Sequence, residues 1–169
     1  RLTFPIYAFL IVEGYFHTGN FKKYIQGLLI FALISEIPFN LMTGSRLFYP
    51  IHQNVLWTFL ISLGLIHLNE KAKASHQRIR ILVTAVLSVL LGSLAGLLLM
   101  VDYYHAGVLT VLIFYFFRGS SFWHRLGQLI GMWYVHAEML GGLGYEIVLF
   151  GHSFFLIQQS FALLALIPI

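Results

Sequence analysis

Cysteine is absent from this chain of 169 residues. Its absence removes disulfides, thiolate nucleophiles and cysteine metal sites, and leaves the redox compartment open. Charge is the second scarcity. Only 9% of the residues are Asp, Glu, Lys or Arg, against about 25% in an ordinary soluble domain. That is too little to wet a water-facing surface. Familiar catalytic signatures are missing as well. There is no HEXXH, no P-loop lysine, no GXSXG and no GXGXXG, so none of those chemistries has a motif to rest on.

What fills the chain instead is hydrocarbon. Hydrophobic residues make up 59% and the mean hydropathy is +0.85. The fold class this implies is all-α, a polytopic transmembrane helical bundle. Hydropathy divides the chain into about seven apolar segments: 2–16, 24–41, 54–69, 81–101, 105–117, 126–149 and 153–169. Pro5 opens the first segment, where proline is tolerated. Pro38 lies late in the second, where it should kink or end the helix. Ser88, Gly92 and Gly96 recur every fourth residue in the fourth segment, a spacing that lets helices approach closely and implies no chemistry.

The ends of the chain read as cuts. Residue 1 is Arg, and residues 2–16 would span only about 22 Å as a helix, short of a hydrocarbon core of roughly 30 Å. The last residues, FALLALIPI, are still apolar. The expectation is one transmembrane domain over residues 1–169, a fragment lacking a first helix and C-terminal helices. No secretory signal peptide is visible.

Basic residues set an orientation. Lys22 and Lys23, then Lys71, Lys73, Arg78 and Arg80, then Arg118 and Arg125 fall between alternate segments; Arg1 and Arg46 fall on the opposite side. That division of eight to two is in phase with seven segments and makes the eight-residue side cytoplasmic. The basic stretch 71–80 reads as a topology determinant or as a surface for anionic headgroups or a polyanionic cofactor such as coenzyme A.

Within this hydrocarbon, ionisable groups stand out. Glu36 lies in the run LLIFALISEIPFNL. A carboxylate at membrane depth costs from about 2.5 to above 10 kcal/mol, so it must face protein or a wet cavity. Glu36 and Asn40 share a helix face, with Pro38 between them freeing backbone groups. The alternative is a buried, hydrogen-bonded Glu that locks helix packing. Glu13 and His17 are also four apart, a spacing suited to proton transfer or to marking a helix end. Asp102 and His105 are three apart in a short turn, where they could bind a metal, shuttle a proton or simply be polar turn residues. His136 and Glu138, two apart, belong on different helix faces. His67, His76 and His124 flank the basic side and read as solvated.

These residues carry a resemblance. The run RLTFPIYAFLIVEGYFHT, then KKY, LLIFALISEIPFN and QNV, with VDYYHAGVLTVLIFYFFR later, is similar to the TraX family, bacterial inner-membrane proteins. The founding member is associated with N-terminal acetylation of conjugative pilin, and the family resembles wider membrane acyltransferases. Arg1, Phe4 and Pro5 match an Arg-x-x-Phe-Pro pattern. Glu13, Gly14, His17 and Thr18 match Glu-Gly…His-Thr, and Tyr24 matches a tyrosine after the basic turn. Ser35, Glu36, Pro38 and Phe39 match Ser-Glu-x-Pro-Phe, with Asn40 where Asp is more usual. Gln53, Asn54, Asp102, Tyr103 and Arg118 complete the likeness. A family Asp-His pair, the best base by resemblance, would precede Arg1. An Asn-Gly turn and a later histidine would follow the last residue.

The resemblance implies an acetyltransferase of the inner (cytoplasmic) membrane that uses acetyl-CoA as donor and needs no metal. Glu36, Arg1, Asp102 and Asn54 would form the catalytic, acceptor-side group. Glu13, His17, Lys71, Lys73, Arg78 and Arg80 would receive the donor. The partners implied are membrane lipid and a protein, lipid or glycan acceptor, with no nucleic acid. A second class remains open: a proton-coupled transporter or a non-enzymatic assembly factor. An inverted repeat would favour transport, and the two halves show no convincing similarity.

Overall fold

The computed structural model describes residues 2–142, 144–149, 152–167 and 169. Arg1 lies outside them. Six α-helices follow in order: α1 (Thr3–His17), α2 (Phe21–Gly44), α3 (Val55–Ala74), α4 (Arg78–Leu98), α5 (Tyr104–Phe116) and α6 (Phe122–Trp133). A π-helical stretch, Tyr134–Met139, continues α6. An antiparallel hairpin follows, β1 (Gly144–Leu149) and β2 (His152–Ile157), and then a 3₁₀ helix, Gln158–Leu166.

The first five predicted segments become α1 to α5, each displaced by only a few residues. Side chains explain several of the boundaries. Asn20 caps α2 by accepting a hydrogen bond from Lys23 N at 3.0 Å, and Asn54 caps α3 by accepting from Leu56 N at 3.0 Å. Ser45 closes α2 in the left-handed conformation. Of the two outcomes expected at Pro38, a kink or an end, the helix does not end there; it runs on to Gly44. The stretch 71–80 is not a loop either. Lys71 and Lys73 occupy the last turn of α3, where they complement the helix dipole, and Arg78 and Arg80 open α4.

The sixth and seventh segments are not helices of the predicted extent. Helix stops at Met139, and Gly141 and Gly142 take φ values of 52° and 104°, which favour glycine. Gly144 then pairs with Ile157 and Leu149 with His152 across the hairpin. The sequences GYEIVL and HSFFLI are short apolar runs rich in β-branched and aromatic residues. Hydropathy alone reads such runs as strand or buried helix equally well.

Two helices, α2 and α4, are long and apolar enough to cross a membrane. Only 11% and 17% of their most apolar windows are buried, so neither is the core helix of a soluble domain. Ile30, Phe31 and Ile34 on α2, and Leu82, Leu90 and Leu94 on α4, point outward. By contrast α5 is central. Val108, Val111, Leu112 and Phe114 are almost wholly buried against Phe4, Val12, Phe59 and Ile66 from α1 and α3.

Lipid tails are as apolar as leucine, so close van der Waals packing has to hold α4 to its neighbours. Ser88, Gly92 and Gly96 are buried on the packed face. A Cβ at Gly92 would lie 2.6 Å from a Leu65 methyl, and one at Gly96 2.7 Å from the Tyr104 carbonyl oxygen. Ser88 accepts a hydrogen bond from Asn69 Nδ2 at 2.6 Å. The four-residue spacing therefore serves helix packing.

Candidate functional site

Contacts divide the polar residues between two ends of the bundle. Phe4 stacks on Tyr103 and Phe59 near the start of α1, while Glu13 near its end meets Arg118 beyond α5. The 13 residues of α5 separate the Asp102 turn from Arg118 by about 20 Å at about 1.5 Å per residue.

Glu36 is the centre of one end. Its Oε2 accepts from Trp57 Nε1 at 3.0 Å, from Asn54 N at 3.4 Å and from Asn54 Nδ2. Asn54 Nδ2 also donates to the Ala32 carbonyl at 2.9 Å. Asn54 is 4% exposed, so these bonds are made away from solvent. Two further acceptors, Glu36 Oε1 and Asn40 Oδ1, are buried without a donor among the described residues. Asn40 Nδ2 reaches the Leu47 carbonyl at 3.2 Å, holding the α2–α3 connection back onto α2. Three N–H groups converging on one carboxylate oxygen can hold a negative charge.

Asp102 belongs to the same end but to another element. Its turn is tied to the start of α3 by Gln53 N donating to Met100 O at 2.9 Å and by Thr58 Oγ1 donating to Asp102 O at 2.8 Å. The expected pairing with His105 is not made. The imidazole beside Asp102 is that of His52, with Nε2 3.6 Å from Oδ1; His105 Nδ1 is buried without a hydrogen-bond partner among the described residues. Burial pushes the Asp102 carboxyl above its ordinary range, and His52 and the Tyr103 amide partly oppose it. A cavity of about 440 Å³ opens beside Asp102, walled mainly by Phe4, Tyr7, Leu56, Phe59 and Tyr103.

At the basic end, Arg118 grips Glu13 with both arms, Nε to Oε1 at 2.7 Å and Nη2 to Oε2 at 3.0 Å. His17 Nδ1 lies 2.8 Å from the Glu13 carbonyl oxygen and 3.6 Å from its carboxylate. Arg118 also covers the Phe16 ring. Glu13, Arg118, Arg125 and Gln128 line a cavity of about 220 Å³. The four basic residues of 71–80 do not converge. Lys73 pairs with Glu70 at 2.9 Å and lies over the Tyr115 ring, while Lys71 and Arg80 line a separate groove of about 240 Å³ between α3 and α4. His67 is not a solvated loop histidine. It stacks on Phe21 and shares a hydrogen bond with Tyr15 at 3.1 Å.

The structure thus joins Glu36 to Asn54, puts Asp102 at the same end, and gathers Glu13 and His17 at the other. It adds His52 and Trp57, and brings Arg125 to the cavity lined by Glu13 and Arg118. His136 is buried, 3.1 Å from Thr110 Oγ1, and Glu138 is exposed, so the two do lie on different faces. Trp57 had one available signal, its place one turn beyond a capping Asn. No group of three or more His, Asp or Glu side chains that could hold a metal occurs among the described residues.

An apolar helical assembly with two lipid-length helices and polar groups at both ends defines a membrane protein. Within that class the chain belongs to the TraX family: the TraX protein family matches residues 1–146. A "Probable fimbrial assembly protein FimC, serogroup H1" of Dichelobacter nodosus is 37% identical over 70 residues. That match covers 37% of this chain and 29% of the relative. No solved structure matches.

Proposed function

We propose that this chain is the membrane domain of a multi-pass inner-membrane acetyltransferase that serves pilus or fimbria biogenesis. Acetyl-CoA binds from the cytoplasm at the basic end, and an acceptor amine or hydroxyl meets the acetyl group at the Glu36 end. The observation that carries this reading is the Glu36–Asn54–Trp57 cluster, a carboxylate held by three N–H groups in an otherwise apolar bundle. Such a residue is costly at membrane depth and is kept for function. The name of the Dichelobacter relative supports the pilus context.

In this mechanism the acceptor nucleophile attacks the thioester carbonyl while a base takes its proton. Of the two residues the sequence offers for the oxyanion, Arg1 supplies the charge, because both Asn54 Nδ2 hydrogens are already given to Glu36 and Ala32. The phosphates and adenine of the donor stay at the basic end, where Arg118 and Arg125 join Lys71, Lys73, Arg78 and Arg80 as positive charge.

The fimbrial relative's name also favours a second reading, a non-enzymatic assembly factor. One experiment separates the two. The full-length protein in membrane vesicles is given acetyl-CoA labelled in the acetyl group, and the label is followed into protein, lipid and small molecules. Transfer by the wild type, lost in Glu36→Gln, supports the acetyltransferase. No transfer from well-folded wild type selects the assembly reading.

A further inference from the structure

The groove of about 240 Å³ between α3 and α4 has the shape of an amphiphile, charged at one end and apolar along its length. Only residues 75–77 join the two helices, so the last turn of α3 and the first turn of α4 meet at one end of it. Lys71 and Arg80 line that end. Away from them the walls are hydrocarbon: Leu68 on α3, then Leu87 and Leu91 on α4, each about half exposed. The floor is fixed. Ser88 lines the groove and accepts from Asn69 Nδ2 at 2.6 Å, and the Gly92 backbone lies against Leu65. From Arg80 to Leu91 the groove follows α4 for about 16 Å at about 1.5 Å per residue. One leaflet of a roughly 30 Å hydrocarbon core is about 15 Å deep. Because α4 is long enough to cross the membrane and mostly unburied, the groove opens onto lipid, with its cations on the cytoplasmic side. Charge narrows what fits there. Glu70, the carboxylate of α3, is taken up elsewhere, accepting from Lys73 Nζ at 2.9 Å and from the Tyr115 hydroxyl at 2.8 Å; α4 carries no acid. Among the described residues no carboxylate pairs with Lys71 or Arg80. Two cations at the head of an apolar cleft complement an anion with a hydrocarbon tail, and they repel a headgroup that carries its own ammonium.

We propose that this groove binds an anionic phospholipid of the cytoplasmic leaflet, its phosphodiester held by Lys71 and Arg80 and one acyl chain laid along Leu68, Leu87 and Leu91. The inference does not rest on the acetyltransferase reading. Lys71 and Arg80 reach the headgroups on apolar stems that lie against the leucines. Thr84, about 6 Å deeper along α4, lines the groove at the level of the ester carbonyls. Basic pockets between membrane helices on the cytoplasmic side take acidic headgroups in this way. One phosphodiester charge against two cations leaves the basic end positive, so Lys71 and Arg80 still add to the field that meets the donor.

The test uses full-length protein in phosphatidylethanolamine vesicles that carry a trace of phosphatidylglycerol with a photoreactive acyl chain. Illumination should attach the probe to peptides from residues 65–91. The same probe on a phosphatidylethanolamine headgroup should attach roughly fivefold less, and Lys71→Gln combined with Arg80→Gln should lower phosphatidylglycerol attachment about tenfold. The exchange Lys71→Arg with Arg80→Lys keeps both charges and should keep attachment. Leu87→Trp fills the cleft with both charges in place and should lower it. Equal attachment of the two headgroups, or full attachment to the double Gln variant, overturns the anionic lipid. Attachment only outside residues 65–91 overturns the groove. Loss of attachment on adding soluble coenzyme A gives the groove to the donor and overturns the lipid. Should the double Gln variant fail to fold, the other two decide: attachment lost in the charge-keeping exchange, or kept in full by Leu87→Trp, overturns the proposal. Absence of acetyl transfer from the wild type leaves it standing.

Discussion

At the Glu36 end, polar side chains hold one another and are also anchored on backbone: Asn54 on Ala32, Asn40 on Leu47 and Thr58 on Asp102. At the basic end they are anchored mostly on one another, Arg118 on Glu13 and Lys73 on Glu70, with side chains 24–49% exposed. The contrast separates two uses of polarity. Partners buried on backbone fix atoms in place, and removing one strands the other at about 1–3 kcal/mol or more. Exposed ion pairs contribute about 1 kcal/mol or less and are screened by salt. The first arrangement suits a reacting group, and the second suits a surface that receives a mobile polyanion.

The sharpest way to test that contrast is Glu36→Gln. Charge is lost while shape is kept, so on the proposed acetyltransferase reading acetyl transfer should fall at least a hundredfold, with membrane insertion unchanged by protease protection. A fully active variant would reduce Glu36 to a packing residue. Gly96→Leu probes the shared scaffold. Its side chain must displace the Tyr104 carbonyl region, so a loss of about 1–3 kcal/mol is expected, read as a lower unfolding midpoint in detergent. An unchanged midpoint would mean that α4 and α5 are not held as described. Arg118→Gln removes a partly exposed pair. Stability should change by about 1 kcal/mol or less, with acetyl-CoA KM raised a few-fold and salt mimicking the effect. A collapse of the fold would show that the two ends are built alike. The smallest effect on stability is expected from changing Lys71, Lys73, Arg78 and Arg80 together to Gln. Donor KM should rise or reporter fusions should show altered topology; neither change would exclude these residues from both roles.

Hydropathy located α1 to α5 because each is a long apolar run between polar junctions. It could not separate helix from hairpin in 144–157, where runs of six residues carry no helical period. Glu36 was legible because a carboxylate among leucines is costly wherever it points. His52 was not, because a histidine in a connection is unremarkable and Asp102 lies fifty residues away. Sequence spacing offered Asp102 the nearer His105, but the fold turned that ring elsewhere. The dispersal of the four basic residues was equally hidden. It follows from α3 continuing to Ala74, which puts Lys71 and Lys73 on different sides of one helix.

Asn54 both starts α3 and holds the Glu36 carboxylate, and Trp57 joins it from the first turn. A slip of one residue in where α3 begins would swing each of its side chains by about 100°, taking the indole away from its oxygen. The carboxylate thus works as a checksum on the helix: only a correctly threaded chain presents all three N–H groups to it. On the acetyltransferase reading, a misassembled bundle would then be silent rather than wrongly active.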